Sequence, residues 1–68
     1  MKISEITVDY VLNWLGVENP TEADRQHAED LMAEAYAYIK EMTGLTDEEI
    51  DERPLLTQAF LLRIRANW

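Results

Sequence analysis

The sequence predicts an all-α domain: a small bundle of three main helices plus one short acidic helical turn, at about 7–15, 21–43, 47–52 and 54–67. Three observations carry this. Apolar residues recur at three- and four-residue spacing. Threonines followed by carboxylates stand where helices would start. Gly16, Gly44 and Pro54 stand where they would stop or restart.

The first helix opens at Thr7, a good N-cap, with Asp9 in the first turn where the helix dipole favours an anion. Ile6 before the cap and Val11 inside it form a hydrophobic staple. Val8, Val11, Leu12 and Leu15 make the buried face, Trp14 sits at its edge, and Gly16 ends the helix. Val17 to Pro20 is a connector. Thr21 then opens the longest helix, with Glu22 and Asp24 in its first turn. Ala28, Leu31, Met32, Ala35, Tyr38, Ile39 and Met42 form one stripe and are expected in the core, the methionines as filler. Glu34, Glu41 and Asp30 lie off the stripe, and Thr43-Gly44 closes the helix.

Thr46-Asp47-Glu48-Glu49 reads as a capping box, with Leu45 and Ile50 as a second staple. The helix it starts must be short, because Pro54 biases Arg53 away from helical geometry and itself suits the first turn of a new helix. That last helix is the odd one. At 100° per residue its apolar side chains appear almost all round. Leu55, Ala59, Leu62 and Ala66 make one row, Leu56, Phe60 and Ile64 another, with Leu61 and Trp68 behind. A helix apolar on most sides is central or covered by a partner. Arg63 falls inside the apolar arc, where an unpaired charge would be costly, so a partner carboxylate is expected from the second helix or from another subunit. Arg65 suits the negative end of the helix dipole.

A chain of 68 residues is at most one domain, and a core of this size is marginal without reinforcement. There is no cysteine, so neither a disulfide framework nor a thiolate zinc site is available. Helix packing and oligomerisation are left. The formal charge is -8 with six Lys and Arg, which disfavours gripping DNA phosphates or an anionic membrane surface. No apolar run approaches the roughly 20 residues of a membrane span, and Met1-Lys2 leads into no signal-peptide core, so a cytosolic protein is expected.

No catalytic constellation, cofactor site or metal site is read. The single histidine, His27, is expected to be a partly exposed surface residue with no nucleophile beside it. Asp47, Glu48, Glu49, Asp51 and Glu52 lack the spacing and central glycine of a calcium loop, and their first members fit a helix start. The candidate interface residues are Tyr36, Phe60, Arg63, Arg65 and Trp68, since aromatic residues and arginine are enriched at interfaces.

The opening ISEITVDYVLNWLGV, the acidic connector, the long helix ending AYAYIKEMTGLT and the following DEEIDERPLLTQAFLL together resemble the head–tail connector (adaptor) family of tailed bacteriophages and of prophages in Gram-positive bacteria. The resemblance implies a non-catalytic structural subunit. It would form a homo-oligomeric ring on the portal protein, bridge capsid and tail with the tail-completion proteins, and surround the channel through which DNA passes without tight binding. It further implies a virion protein assembled in the bacterial cytoplasm. Family members run on past the aromatic that here is Trp68, so a shortened form is expected. Arg63 and Arg65 stand where the family tends to be apolar or small. A different class fits the -8 charge and small size as well: an acidic phage-type regulator that occupies a basic DNA-binding protein by mimicking DNA.

Overall fold

The computed structural model describes all residues, Met1–Trp68. A 3-10 turn, Ile3–Glu5, leads into four helices: α1 (Val8–Trp14), α2 (Glu22–Thr43), α3 (Asp47–Asp51) and α4 (Pro54–Asn67). There is no strand, and no helix is long and apolar enough to cross a membrane. Each helix begins where its local chemistry places it. The Thr7 hydroxyl accepts the Tyr10 amide at 3.1 Å. Thr21 accepts the Asp24 amide at 3.1 Å while the Asp24 carboxylate accepts the Thr21 amide at 3.0 Å, and Thr46 and Glu49 exchange the same two bonds at 3.2 and 3.0 Å. Each such cap is worth about 1 kcal/mol. The chain leaves α2 through Gly44 at φ 68°, a left-handed conformation that spares glycine a Cβ penalty. The connector before α2 turns at Asn19, φ 52°, a residue type that tolerates this region.

α2 is the spine. Its 22 residues give about 33 Å at 1.5 Å per residue, close to the molecule's 35 Å long axis. α1 lies beside its N-terminal half, tied by Arg25 to Asp9 at 2.7 Å. α4 runs antiparallel to it, so that Trp68 meets His27 and Arg63 meets Glu34. α3 closes its C-terminal half, where Lys40 and Tyr36 both reach Asp47.

The core holds Val11 and Leu12 of α1, Ala28, Ala35 and Ile39 of α2, Ile50 of α3, and Phe60, Leu61 and Ile64 of α4. Ile3 and Ile6 complete it from the N-terminal turn. Ala28 and Ala35 are fully buried, and their small side chains let neighbouring elements approach the spine closely. The N-terminus is strapped over the α3–α4 corner: Ser4 donates to Asp51 through its amide (3.2 Å) and hydroxyl (2.7 Å), and the buried Thr57 hydroxyl donates to the Met1 carbonyl at 2.8 Å.

Two residues expected in the core are outside it. Met42 is 66% exposed because it stands in the last turn of α2, past the reach of its partners. Tyr38 is largely exposed because Arg63, held by Glu34, covers its ring in place of an apolar neighbour. Both staples form in part as expected: Ile6 and Val11 are buried, and Ile50 is buried beside a half-buried Leu45.

Candidate functional site

α4 presents two unlike faces. Thr57, Phe60, Leu61 and Ile64 point inward and are buried. The row on the opposite side, Leu55, Ala59, Leu62 and Ala66, faces solvent along the whole helix. Leu55 is 79% exposed and Leu62 57%, large values for leucine in a helix that also supplies the core. Pro54 at the first helical position starts the helix without a side-chain cap and brings this row out from its first turn.

Arg63 borders the row on the α2 side. Its Nε donates to both Glu34 oxygens (2.8 and 3.1 Å) and its Nη2 to one of them (2.9 Å), while the guanidinium lies 3.6 Å above the centre of the Tyr38 ring. The fork holds the Glu34 carboxyl below its ordinary value, chiefly by hydrogen bonding, and holds Arg63 above its own for the same reason. The expected partner carboxylate therefore comes from the second helix of the same chain. Arg65 borders the row on the α1 side, its guanidinium 4.1 Å over the Trp14 ring. Beside it a groove of about 430 Å³ opens between α1 and α4, lined chiefly by Met1, Tyr10, Trp14, Pro54, Leu61 and Leu62.

The five interface candidates do not gather in one place. Phe60 is corrected to the core: it is only 2% exposed, because the inward face of α4 is the one carrying Phe60 and Ile64. Tyr36 is half-buried against the core, and its hydroxyl donates to Asp47. That bond, with burial adding to it, pushes the Tyr36 pKa up to about 12 and draws Asp47 below its ordinary value with help from Lys40. Trp68 packs within the chain, its ring 4.8 Å from that of His27 and tilted by 45°. Its backbone carbonyl oxygen lies 3.3 Å from His27 Nε2, which donates to it. Arg63 and Arg65 remain, one on each edge of the exposed row. The residues between them, Leu55 and Leu62 above all, were not singled out by sequence reasoning, although their common row was visible in the helical projection.

The Asp47–Glu52 segment is committed to structure at three of its carboxylates. Asp47 takes Tyr36 and Lys40, Glu49 takes the Thr46 amide, and Asp51 takes Ser4. Glu49 is held below its ordinary value, first by that backbone hydrogen bond. No group of three or more His, Asp or Glu side chains converges as a metal site would require.

Compared with known proteins, the chain matches no family model, no curated protein and no solved structure. What the fold and site define is thus a class: a small all-α acidic protein that displays an apolar helix face edged by two arginines.

Proposed function

We propose that this chain is a structural subunit of a phage head–tail connector, one that assembles as a ring on the portal around the DNA exit channel. The observation that carries the reading is the outward row Leu55, Ala59, Leu62 and Ala66 on a helix that also builds the core. A chain of this size gains from covering such a row with a neighbour rather than with water. Two further features support it. The segment TGLTDEEIDERPLLTQAFLL, whose resemblance to the connector family is the most specific, forms the α2 exit, α3 and α4 as far as Leu62. The carboxylates of α2 and α3 also leave an acidic surface that would let DNA slide past without adhering.

The test is to mix the purified chain with a portal assembly and to look for rings by light scattering and electron microscopy. Portal-bound rings are the expected result. A chain that neither forms rings nor binds a portal would overturn the reading. The -8 charge also favours a second reading, a DNA-mimicking regulator of a basic protein. It requires salt-sensitive binding to such a protein, lost in competition with duplex DNA.

A further inference from the structure

From the outward face of α4 we infer that two copies of the free chain pair through that face, antiparallel, about a two-fold axis passing between Phe60 and Leu61. The residues of the row are spaced four, three and four apart, the alternation of steps with which a heptad seam keeps one face toward a partner helix. Leu and Ala alternate along it, so its pattern is self-complementary in one orientation only. Antiparallel about that axis, Leu55 meets the partner's Ala66 and Leu62 meets the partner's Ala59. Every large side chain then faces a small one. A parallel in-register pair would set Leu on Leu and Ala on Ala, leaving gaps at the alanines.

Charge points to the same occupant. Each chain carries -8, so two copies repel wherever carboxylates face each other. The last carboxylate side chain is Glu52, and α4 has none. Its outer face is therefore where a second copy can approach with least repulsion. In the antiparallel pair Arg63 lies level with the partner's Gln58, and Arg65 with the partner's Leu56. The two Arg63 residues are displaced by about 7.5 Å along the axis. The basic end of each α4 also comes to the acidic α3–α4 corner of the other, where Glu48 and Glu52 are exposed. An isologous contact of this kind closes at two, so a free pair has to open before the same row can serve as a contact within a ring. With four small or medium side chains from each copy, it belongs at the low end of interface size and makes a weak dimer.

Disulfide trapping tests the register, and the native chain has no cysteine to interfere. Leu55→Cys and Ala66→Cys, both at exposed positions, are made separately and then mixed under oxidising conditions. The two-fold pair brings these positions together across the interface. Two Leu55→Cys chains, or two Ala66→Cys chains, would hold their thiols about 16 Å apart along the axis, too far for a disulfide that needs Cα atoms within about 7 Å. The expected result is a covalent dimer from the mixture and little from either variant alone.

Sedimentation supplies the second arm. The native chain should pass from monomer to dimer between roughly 10 µM and 1 mM. Leu62→Glu should stay monomeric, while Ala33→Glu, on the far side of α2, should behave as the native chain does. Cross-linking of each variant with itself, or a native chain monomeric throughout that range, would overturn the inference. The pairing does not depend on the connector reading. A dimer that ignores the portal sinks that reading and leaves this one, and a monomer that binds the portal does the reverse.

Discussion

Ile64→Ala and Leu62→Ala, two residues apart on α4, should differ several-fold in their cost to stability. Both truncations remove three carbon groups, about 2.4 kcal/mol of transfer free energy at about 0.8 kcal/mol each when fully buried. Ile64 is fully buried, so it loses that amount plus a cavity contribution, and the total falls at about 3–4 kcal/mol. Leu62 is 57% exposed, so less than half of its side chain leaves water on folding and its truncation costs about 1 kcal/mol. A domain of 68 residues has about 3–10 kcal/mol in all at roughly 0.05–0.15 kcal/mol per residue, so Ile64→Ala removes a large share of it.

Far-ultraviolet circular dichroism under a urea gradient, on dilute protein so that pairing does not contribute, reads both. With m of about 1 kcal/mol per molar for so small a chain, Leu62→Ala shifts the midpoint by about 1 M and Ile64→Ala by about 3 M or more. Equal costs, or the reverse order, would refute the assignment of the two faces of α4, and with it the exposed row on which the proposals rest.

Acid should unfold the protein through named groups. Glu34, Asp47 and Glu49 are held below ordinary values of 4.5, 3.8 and 4.5 in the folded state. Their contribution is therefore complete above those values and is lost as pH falls through the lower folded ones, so a pH–stability curve should drop below about pH 4. Tyr36 has the opposite sign: its stabilisation is complete below 10.0 and lost as pH rises through about 12. A tyrosinate absorbance step near pH 12 should be missing from Tyr36→Phe. Thr46→Ala removes the capping box of α3 and should cost about 1 kcal/mol by thermal melting, together with faster hydrogen exchange at the Glu49 amide. Arg63→Met should melt above Arg63→Ala, because Met keeps the apolar stem over Tyr38 while both lose the Glu34 fork. Equal melting of these two would mean that the stem contributes nothing.

The start of every helix was legible in the sequence, and the inward face of α4 was not. Caps are local chemistry: Thr7, Thr21 and Thr46 bond amides three residues away, and Pro54 limits its own neighbour. The face of an all-round apolar helix is a tertiary decision. Ile64 and Leu62 look alike in the sequence, and only the antiparallel run along α2 separates them. The expected carboxylate partner for Arg63 followed from the cost of an unpaired charge, and Glu34 supplies it. The choice of Glu34 over another subunit again needed the three-dimensional run. The 3-10 turn at Ile3–Glu5 gave no helical signal because it is a single turn, held by long-range bonds to Asp51 and by burial of Ile3 and Ile6.

The two arginines show how α4 can serve both as core and as display. A helix with leucines on opposite faces has two apolar faces that it could turn toward α2, the inward one carrying the larger side chains. Arg63 widens the difference between them, because only one orientation lets it reach Glu34 and cover Tyr38. Arg65 repeats this on the other edge by lying on Trp14. Rotating α4 by half a turn would break both contacts and bury Leu55, Ala59, Leu62 and Ala66 in place of Phe60 and Ile64, trading larger side chains for smaller ones in the core. The arginines thus select which apolar face goes inward, a specificity role that does not require either pair to add much net stability. What they leave outside is a row with alternating large and small side chains, free of carboxylates, on a chain that is otherwise strongly acidic. Such a row suits a neighbour built the same way better than it suits water.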